Sequence, residues 1–429
     1  MIIRLCLGAA LLFPAAAMAQ GNPGPFGALF GRTPERAGQD RSIVEVRSSL
    51  GAQYDTALLP PEDAPVGTPT QSGVASGATA ALIYEHASSR LTVNFTGGAT
   101  RSQYLGTPGY GVNLFNANAR VSRAITTRIQ GEAAASYVHS PYFAFYPGSG
   151  LSQRTVNQPV QLFSPYATQM LDNETAEASA GLTAKLTRRS TLNAVTYRRQ
   201  TLFSQTDDDF VLTGYQATWN WRFQRNLGLR VGYGREHADQ RGAQGRDTDH
   251  ELIDVGIDFN HEFSLARRTT LGFTTSTSII KSSNTNRELR VNGAIVFSKA
   301  FRRTWAASAE ARRGTYFVPG FFEPLFTDTV GLSLSGMFTP RLEWTSGASA
   351  GRGVASFTGT SGFNTVTAFS QLSVAVSRHF ALYAGYVAYG YELPENATNL
   401  QLPDRLARQA FSVGLNAYLP VYSRMRQRQ

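Results

Sequence analysis

The sequence predicts an all-β fold, a transmembrane antiparallel up-and-down β-barrel of about 18 strands. Apolar and small polar residues alternate over roughly a dozen positions at a time, the period of a strand with two unlike faces. Short basic turns interrupt the alternation at spacings near forty residues, with one separation of 66. Helical arrays share such a period but not the two-residue alternation, and a propeller needs four short strands per unit. Here each unit holds two long strands, a tight turn and a longer polar connection.

The elements follow in order. Alternation runs through 43–54, 73–86, 91–104, 111–122 and 125–139, punctuated by HASSRL around Ser88 and VSRAIT around Arg123. It continues through 175–187, 191–205, 210–223 and 226–238, with LTRRST around Arg189 and FQRNLG around Arg225. Strands at 250–264, 268–282, 287–299 and 303–317 enclose LARRTT around Arg267 and AFRRTW around Arg302. The last are 327–338, 342–357, 366–377, 380–393 and 407–420, with TPRLEW around Arg341 and SRHFAL around His379. The even count returns both termini to one side, and recurrence makes the arginines punctuation rather than a site. Polar stretches such as SQTDDD (204–209) and ADQRGAQGRDTDH (238–250) join strands at the other end.

Composition agrees. Only 16% of the 429 residues are charged and glycine is abundant at 40. Mean hydropathy is −0.21, and beyond the N-terminus no apolar run reaches the length of a spanning helix. Arg4, the apolar stretch Leu5–Phe13 and the small residues of Ala17-Met18-Ala19 predict a secretory signal over 1–19. A Gly/Pro-rich leader is expected over 20–42, the barrel over 43–422 and a basic tail over 423–429. The single cysteine, Cys6, falls inside the signal, leaving the mature chain without disulfide or thiolate chemistry.

Face assignment separates a membrane barrel from a soluble sandwich. Leu227, Leu229, Val231 and Tyr233 oppose Gly228, Arg230, Gly232 and Gly234; Ile253, Val255, Ile257 and Phe259 oppose Asp254, Gly256, Asp258 and Asn260. A bilayer accepts an apolar face on every strand, and closure removes costly edges. Trp221, Phe223, Phe263, Phe297, Trp305, Phe338 and Trp344 stand beside the turns, where amphipathic rings meet a membrane interface. The polar faces should line a wide aqueous lumen. Its candidate lining residues are Arg128, Lys185, Arg222, Arg230, Asp254, Asp258, Glu310 and Arg312. Register in the 226–264 hairpin brings Arg230 near Asp258, more a wall brace than a selectivity site.

The long separation hides an insertion, 140–174, too long for a plain connection and too aromatic for pure disorder. Tyr142, Phe143, Phe145, Tyr146, Arg154, Phe163 and Tyr166 are its candidate constriction residues. It is expected either to fold inward or to cover the mouth.

A signal peptide, strand pairs with Arg-bearing turns and a long third outer loop resemble the bacterial outer-membrane porins. That resemblance implies a loop that narrows the pore. The turns LTRRSTL and LARRTTL resemble those of barrels associated with exopolysaccharide secretion systems. The C-terminus departs from the porin pattern. Such barrels finish on an aromatic residue, whereas AFSVGLNAYLPVY is followed here by SRMRQRQ. An assembly signal would then lie at Gly414–Tyr418, with the tail projecting into the periplasm.

Other chemistry is weak. GASAG (347–351) matches a nucleophile elbow, but Ser349 sits in an alternating strand. The six histidines form no close metal-ligand pair; His237 and His250 flank a loop with Asp239, Asp247 and Asp249, read as solvated. TDDDF (206–210) lacks calcium-loop spacing. The pI near 9.8 comes from dispersed arginines, so no nucleic acid is expected. The expectation is no enzyme, cofactor or metal, but a bacterial outer-membrane pore for polar, sugar-like or anionic solutes. Its partners are outer-membrane lipid, lipopolysaccharide and the solute or polysaccharide. Polysaccharide secretion with a periplasmic export partner is the leading form and small-solute uptake the alternative. A plugged structural or docking barrel, or an outer-membrane enzyme, is the third.

Overall fold

The computed structural model describes residues 40–58, 71–105, 111–144, 167–204, 209–224, 226–240, 246–262, 269–282, 288–301, 304–319, 321, 324–355, 362–393 and 403–426. They form 18 antiparallel strands in one closed sheet. In order these are β1 (Asp40–Leu58), β2 (Gln71–Ala87), β3 (Leu91–Leu105), β4 (Gly111–Ala124), β5 (Ile129–Ala144) and β6 (Ala167–Lys185). Next come β7 (Ser190–Phe203), β8 (Phe210–Arg222), β9 (Leu227–Gln240), β10 (Arg246–Glu262), β11 (Thr269–Ser282) and β12 (Glu288–Phe301). The last are β13 (Trp305–Tyr316), β14 (Leu325–Thr339), β15 (Leu342–Ala355), β16 (Gly362–Ala375), β17 (Phe380–Glu392) and β18 (Arg405–Arg426). Each strand pairs with its sequence neighbours, and β1 pairs with both β2 and β18.

Polarity is inverted relative to a water-soluble protein. Val255 and Ile257 on β10, Val330 and Leu332 on β14, and Val413 on β18 are exposed, while the alternate residues Asp254, Thr329 and Ser412 are buried. Such exposure is stable only against hydrocarbon, so the outward face is a bilayer-facing wall. Aromatic residues gather on it beside the turns. Trp221 meets Phe223 edge to face at 4.4 Å, and Trp305 meets Phe338 at 5.1 Å. The Trp305 indole lies over bare backbone at Gly336, where a Cβ would come within 2.2 Å of the ring. Phe263 lies outside the described residues.

The turns show what the recurring basic residues do. Thr126 Oγ1 accepts the N–H groups of Arg128 and Ile129, Thr187 Oγ1 accepts that of Arg189, and Ser377 Oγ accepts those of His379 and Phe380. The hydroxyl satisfies the reversing backbone. Arg128, Arg188, Arg189, Arg341 and Arg378 are exposed at these turns, while Arg225, Arg267, Arg302 and Arg303 lie outside the described residues. One boundary moves: β4 continues through Arg123 to Ala124, so the turn expected around Arg123 is formed by 125–128 instead.

The ends of the barrel also differ from expectation. β1 begins at Asp40 and β18 reaches Arg426, with Asp40 paired to Arg426 and Ser42 to Arg424, so part of the expected leader and basic tail is strand. Extending both strands satisfies edge groups that either alone would leave open. Along this seam Arg408 clamps Asp55 through Nε at 3.0 and 2.9 Å and Nη2 at 2.6 Å, both side chains being fully buried. Nearer the termini Glu45 accepts from Tyr418 at 3.2 Å and from Arg47 at 3.1 Å.

Removing one partner of a buried pair strands the other charge. Arg408→Ala should therefore destabilise the folded barrel by about 3–5 kcal/mol, whereas Asp55→Leu/Arg408→Met should recover much of that loss. Urea unfolding in detergent micelles, followed by heat-modifiable gel mobility, reads both.

Candidate functional site: the inner wall and its outer collar

The inner wall is polar, and most of its described cations meet carboxylates. Arg230 on β9 stands opposite Gly256 of β10, between two carboxylates on the same face. Its Nε lies 2.6 Å from Asp254, its Nη1 2.7 Å from Asp258, and its Nη2 donates to the Thr275 carbonyl at 2.7 Å. That carbonyl is available because the β10–β11 register shifts between Ile253 and Phe259. Only glycine fits at 256, since a Cβ would lie 1.8 Å from the Thr275 oxygen. The guanidinium thus takes the place of a lost ladder partner and ties three strands together.

Other pairs repeat the pattern. Arg120 Nε on β4 donates to Glu132 on β5 at 2.6 Å. Arg47 reaches Glu45 at 3.1 Å and Arg312 reaches Glu310 at 3.3 Å, each two residues along one strand face. Glu288 and Arg290 form a third Glu-x-Arg pair at 2.5 Å. Serine, threonine and asparagine fill the positions between, including Ser278, which accepts from Asn292 at 3.0 Å. Paired carboxylates and guanidiniums present a wall of nearly balanced charge.

At the end remote from the short turns the lumen changes character. Between β13 and β14 the chain leaves the wall at Phe317 and Val318, and Phe321 N–H donates to the Val318 carbonyl at 3.2 Å. Phe317 joins a buried cluster with Tyr197 (β7), Phe210 and Leu212 (β8) and Ala238 (β9). Strands β10 to β12 separate those residues from β13, so Phe317 reaches them only through the lumen. Arg199 holds it there, donating to the Phe317 carbonyl at 3.0 Å. Beneath the ring a buried relay runs from Tyr197 O–H to Glu236, whose other oxygen lies 2.8 Å from His250 Nδ1; the imidazole is 5.9 Å from Phe317.

Phe321 and Val318 complete the collar. They belong to an apolar cluster drawn from Ala57, Phe143, Leu171, Phe203, Phe363, Tyr389, Tyr391 and Leu406. Those side chains come from strands on opposite sides of the barrel, β1, β5, β6, β7, β16, β17 and β18. The cluster therefore spans the lumen.

Sequence expectations meet this geometry unevenly. Arg230, Asp254 and Asp258 come together, with Asp254 as the partner that sequence register missed. Glu310 and Arg312 share a face and bond to each other. Arg128 stands exposed in the β4–β5 turn rather than on the wall, because β5 starts only at Ile129, and its carbonyl accepts from Lys185 N–H at 2.8 Å. Lys185 and Arg222 end β6 and β8, exposed at the rim. Tyr142 and Phe143 are buried strand residues of β5, not loop residues, since β5 and β6 pair as far as Ala144 and Ala167. Phe145, Tyr146, Arg154, Phe163 and Tyr166 lie outside the described residues.

Two motifs set aside earlier also have places. Ser349 is buried in the middle of β15, where there is no strand-to-helix turn. Asp249 bonds His237 and Arg235, each at 3.2 Å, on the outward face. Sequence reading missed the collar of Phe317, Val318 and Phe321 and the Asp55–Arg408 clamp. The run YFVPGFFEPLF carried a signal for the first, with four phenylalanines around a Pro-Gly pair. The second had none, its partners lying 353 positions apart.

No protein-family model and no curated protein sequence matches the chain. Solved structures similar to it include Pseudomonas aeruginosa OccK2 (OpdF) in complex with glucuronate, at 8% identity and TM-score 0.45 over 89% of this chain and 98% of that one. Pseudomonas aeruginosa OccK11 (OpdR) is similar at 12% identity and TM-score 0.42, covering 89% and 96% of the two chains. Acinetobacter baumannii OccAB2 is similar at 11% identity and TM-score 0.42, covering 89% and 98%.

Proposed function

We propose that the protein is a bacterial outer-membrane channel for small polar solutes. The observation that carries this reading is the collar: Phe317 and Phe321 fold into the lumen above a polar wall and narrow it, which suits small molecules better than a polymer. This favours small-solute passage over polysaccharide export. Pairing of Arg47, Arg120, Arg230, Arg312 and Arg408 with carboxylates argues against strong preference for anions. Neutral polyhydroxyl and zwitterionic solutes fit best, because both charges and many hydroxyls are offered in turn. Apolar constrictions restrict flow by excluding water, so the collar is the step that limits conductance. The collar also gives substance to a second reading, a plugged barrel that conducts nothing.

Planar-bilayer recording separates the two. The native protein should give small, steady currents, and Phe317→Ala/Phe321→Ala should enlarge them severalfold. Silence from both proteins would support the plug instead. Under a salt gradient the native channel should show little ion preference. Arg312→Gln, which leaves Glu310 unmatched, should shift the reversal potential toward cations, and Glu310→Gln toward anions. In proteoliposome swelling, monosaccharides should enter much faster than long oligosaccharides.

A further inference from the structure

The outward face of β13, β14 and β15 carries a row of charge at its end away from the turns. Arg313 pairs in the ladder with Asp328, and Asp328 with Arg352. One edge of the Arg313 guanidinium, Nε and Nη2, engages both oxygens of the Asp328 carboxylate, Nη2 at 2.7 Å, with the two side chains 55% and 51% exposed. Arg352 is exposed on the other side of the same carboxylate. Two guanidiniums flank one carboxylate, and the row keeps a net positive charge.

Below this row the face is uncharged down to the aromatic belt. Ala311, Val330 and Ala350 lie side by side, then Ala309, Leu332 and Ala348, then Ala307, Leu334 and Ser346. The large residues of β14 form a ridge, with Val330 and Leu332 each 55% exposed, and the alanines leave a furrow on either side. Trp305, Gly336 and Trp344 close the lower end. From Arg352 to Trp344 the strand rises about 27 Å at ~3.4 Å per residue. Tilted as barrel strands are, that spans most of an apolar band about 25 Å tall.

We propose that this face binds an outer-leaflet lipid carrying phosphate, its acyl chains in the furrows and its phosphate at Arg313 and Arg352. Guanidinium is the side chain best shaped to take phosphate oxygens in pairs. Asp328 has two opposed effects: it orients Arg313, and it repels the incoming anion. A second copy of the barrel fits poorly. Copies in one membrane share depth and orientation, so a two-fold contact centred on β14 would set Arg352 against the other copy's Arg313 and Asp328 against Asp328.

The test uses the full-length folded barrel in detergent, titrated with lipid A and followed by native mass spectrometry and thermal shift. Arg352→Gln should weaken lipid A binding about tenfold, the scale of one lost charge-assisted hydrogen-bonding partner. Asp328→Asn should strengthen binding, which a purely structural role for that carboxylate would not produce. Arg405→Gln makes the same charge change at the exposed pair with Glu392 elsewhere on the rim and should leave binding unchanged. Dephosphorylated lipid A should bind native protein and Arg352→Gln alike. Equal losses in Arg352→Gln and Arg405→Gln, or weaker binding in Asp328→Asn, would overturn the site. An equal thermal shift from inorganic phosphate alone would overturn its assignment to a lipid.

Discussion

Closure of β1 against β18 is the constraint on which the structure depends. A sheet of this length exposed to hydrocarbon cannot leave an edge, because every open N–H and C=O costs free energy with no water to pair it. The chain meets that requirement with its longest strand, β18, held to β1 from Asp40↔Arg426 to Asp55↔Ala410. Side chains reinforce the ladder where water is excluded, through Asp55–Arg408 at one end and Glu45 with Arg47 and Tyr418 at the other. Once the ring is closed, alternation alone decides what faces lipid and what faces the lumen.

A closed ring of 18 strands encloses more space than its own wall can fill. Among the described residues, Phe317, Val318 and Phe321 leave the wall and narrow that space. Phe317 and Phe321 are fixed from several directions, by the carbonyl bond to Arg199, the ring contact with His250 and apolar neighbours from both sides. In the proposed channel the balanced wall below and the apolar collar above would divide the work: hydration of a passing solute would be replaced in one region and restricted in the other.

Strand number and face assignment were legible in the sequence because each is a local property repeated many times. Alternation in IDVGIDFNHEF and the hydroxyl-basic turns of LTRRST need only neighbouring residues to be read. The Arg230 node was half legible, since hairpin register links β9 to β10 while the bulge that turns the Thr275 carbonyl inward obeys no simple period. The collar was harder to read because the longest insertion, 140–174, carries the stronger aromatic signal, whereas the short run around Val318 reaches the lumen by geometry that closure alone creates. Asp55 and Arg408 could not be linked from sequence at all. Arg128 was misplaced by one turn boundary, because β4 runs on to Ala124 and the turn falls at 125–128.

The most direct test of the account is covalent capture of the seam. Leu50 and Leu415 are direct partners across β1 and β18. The chain's one cysteine is Cys6, ahead of the barrel, so a new pair can be read cleanly. Leu50→Cys/Leu415→Cys, oxidised in native membranes, should form an intramolecular disulfide that alters gel mobility until reduced. Leu50→Cys/Leu419→Cys, displaced along the ladder, should not. A cross-link between chains, or preferential capture of the displaced pair, would contradict a barrel closed in this register.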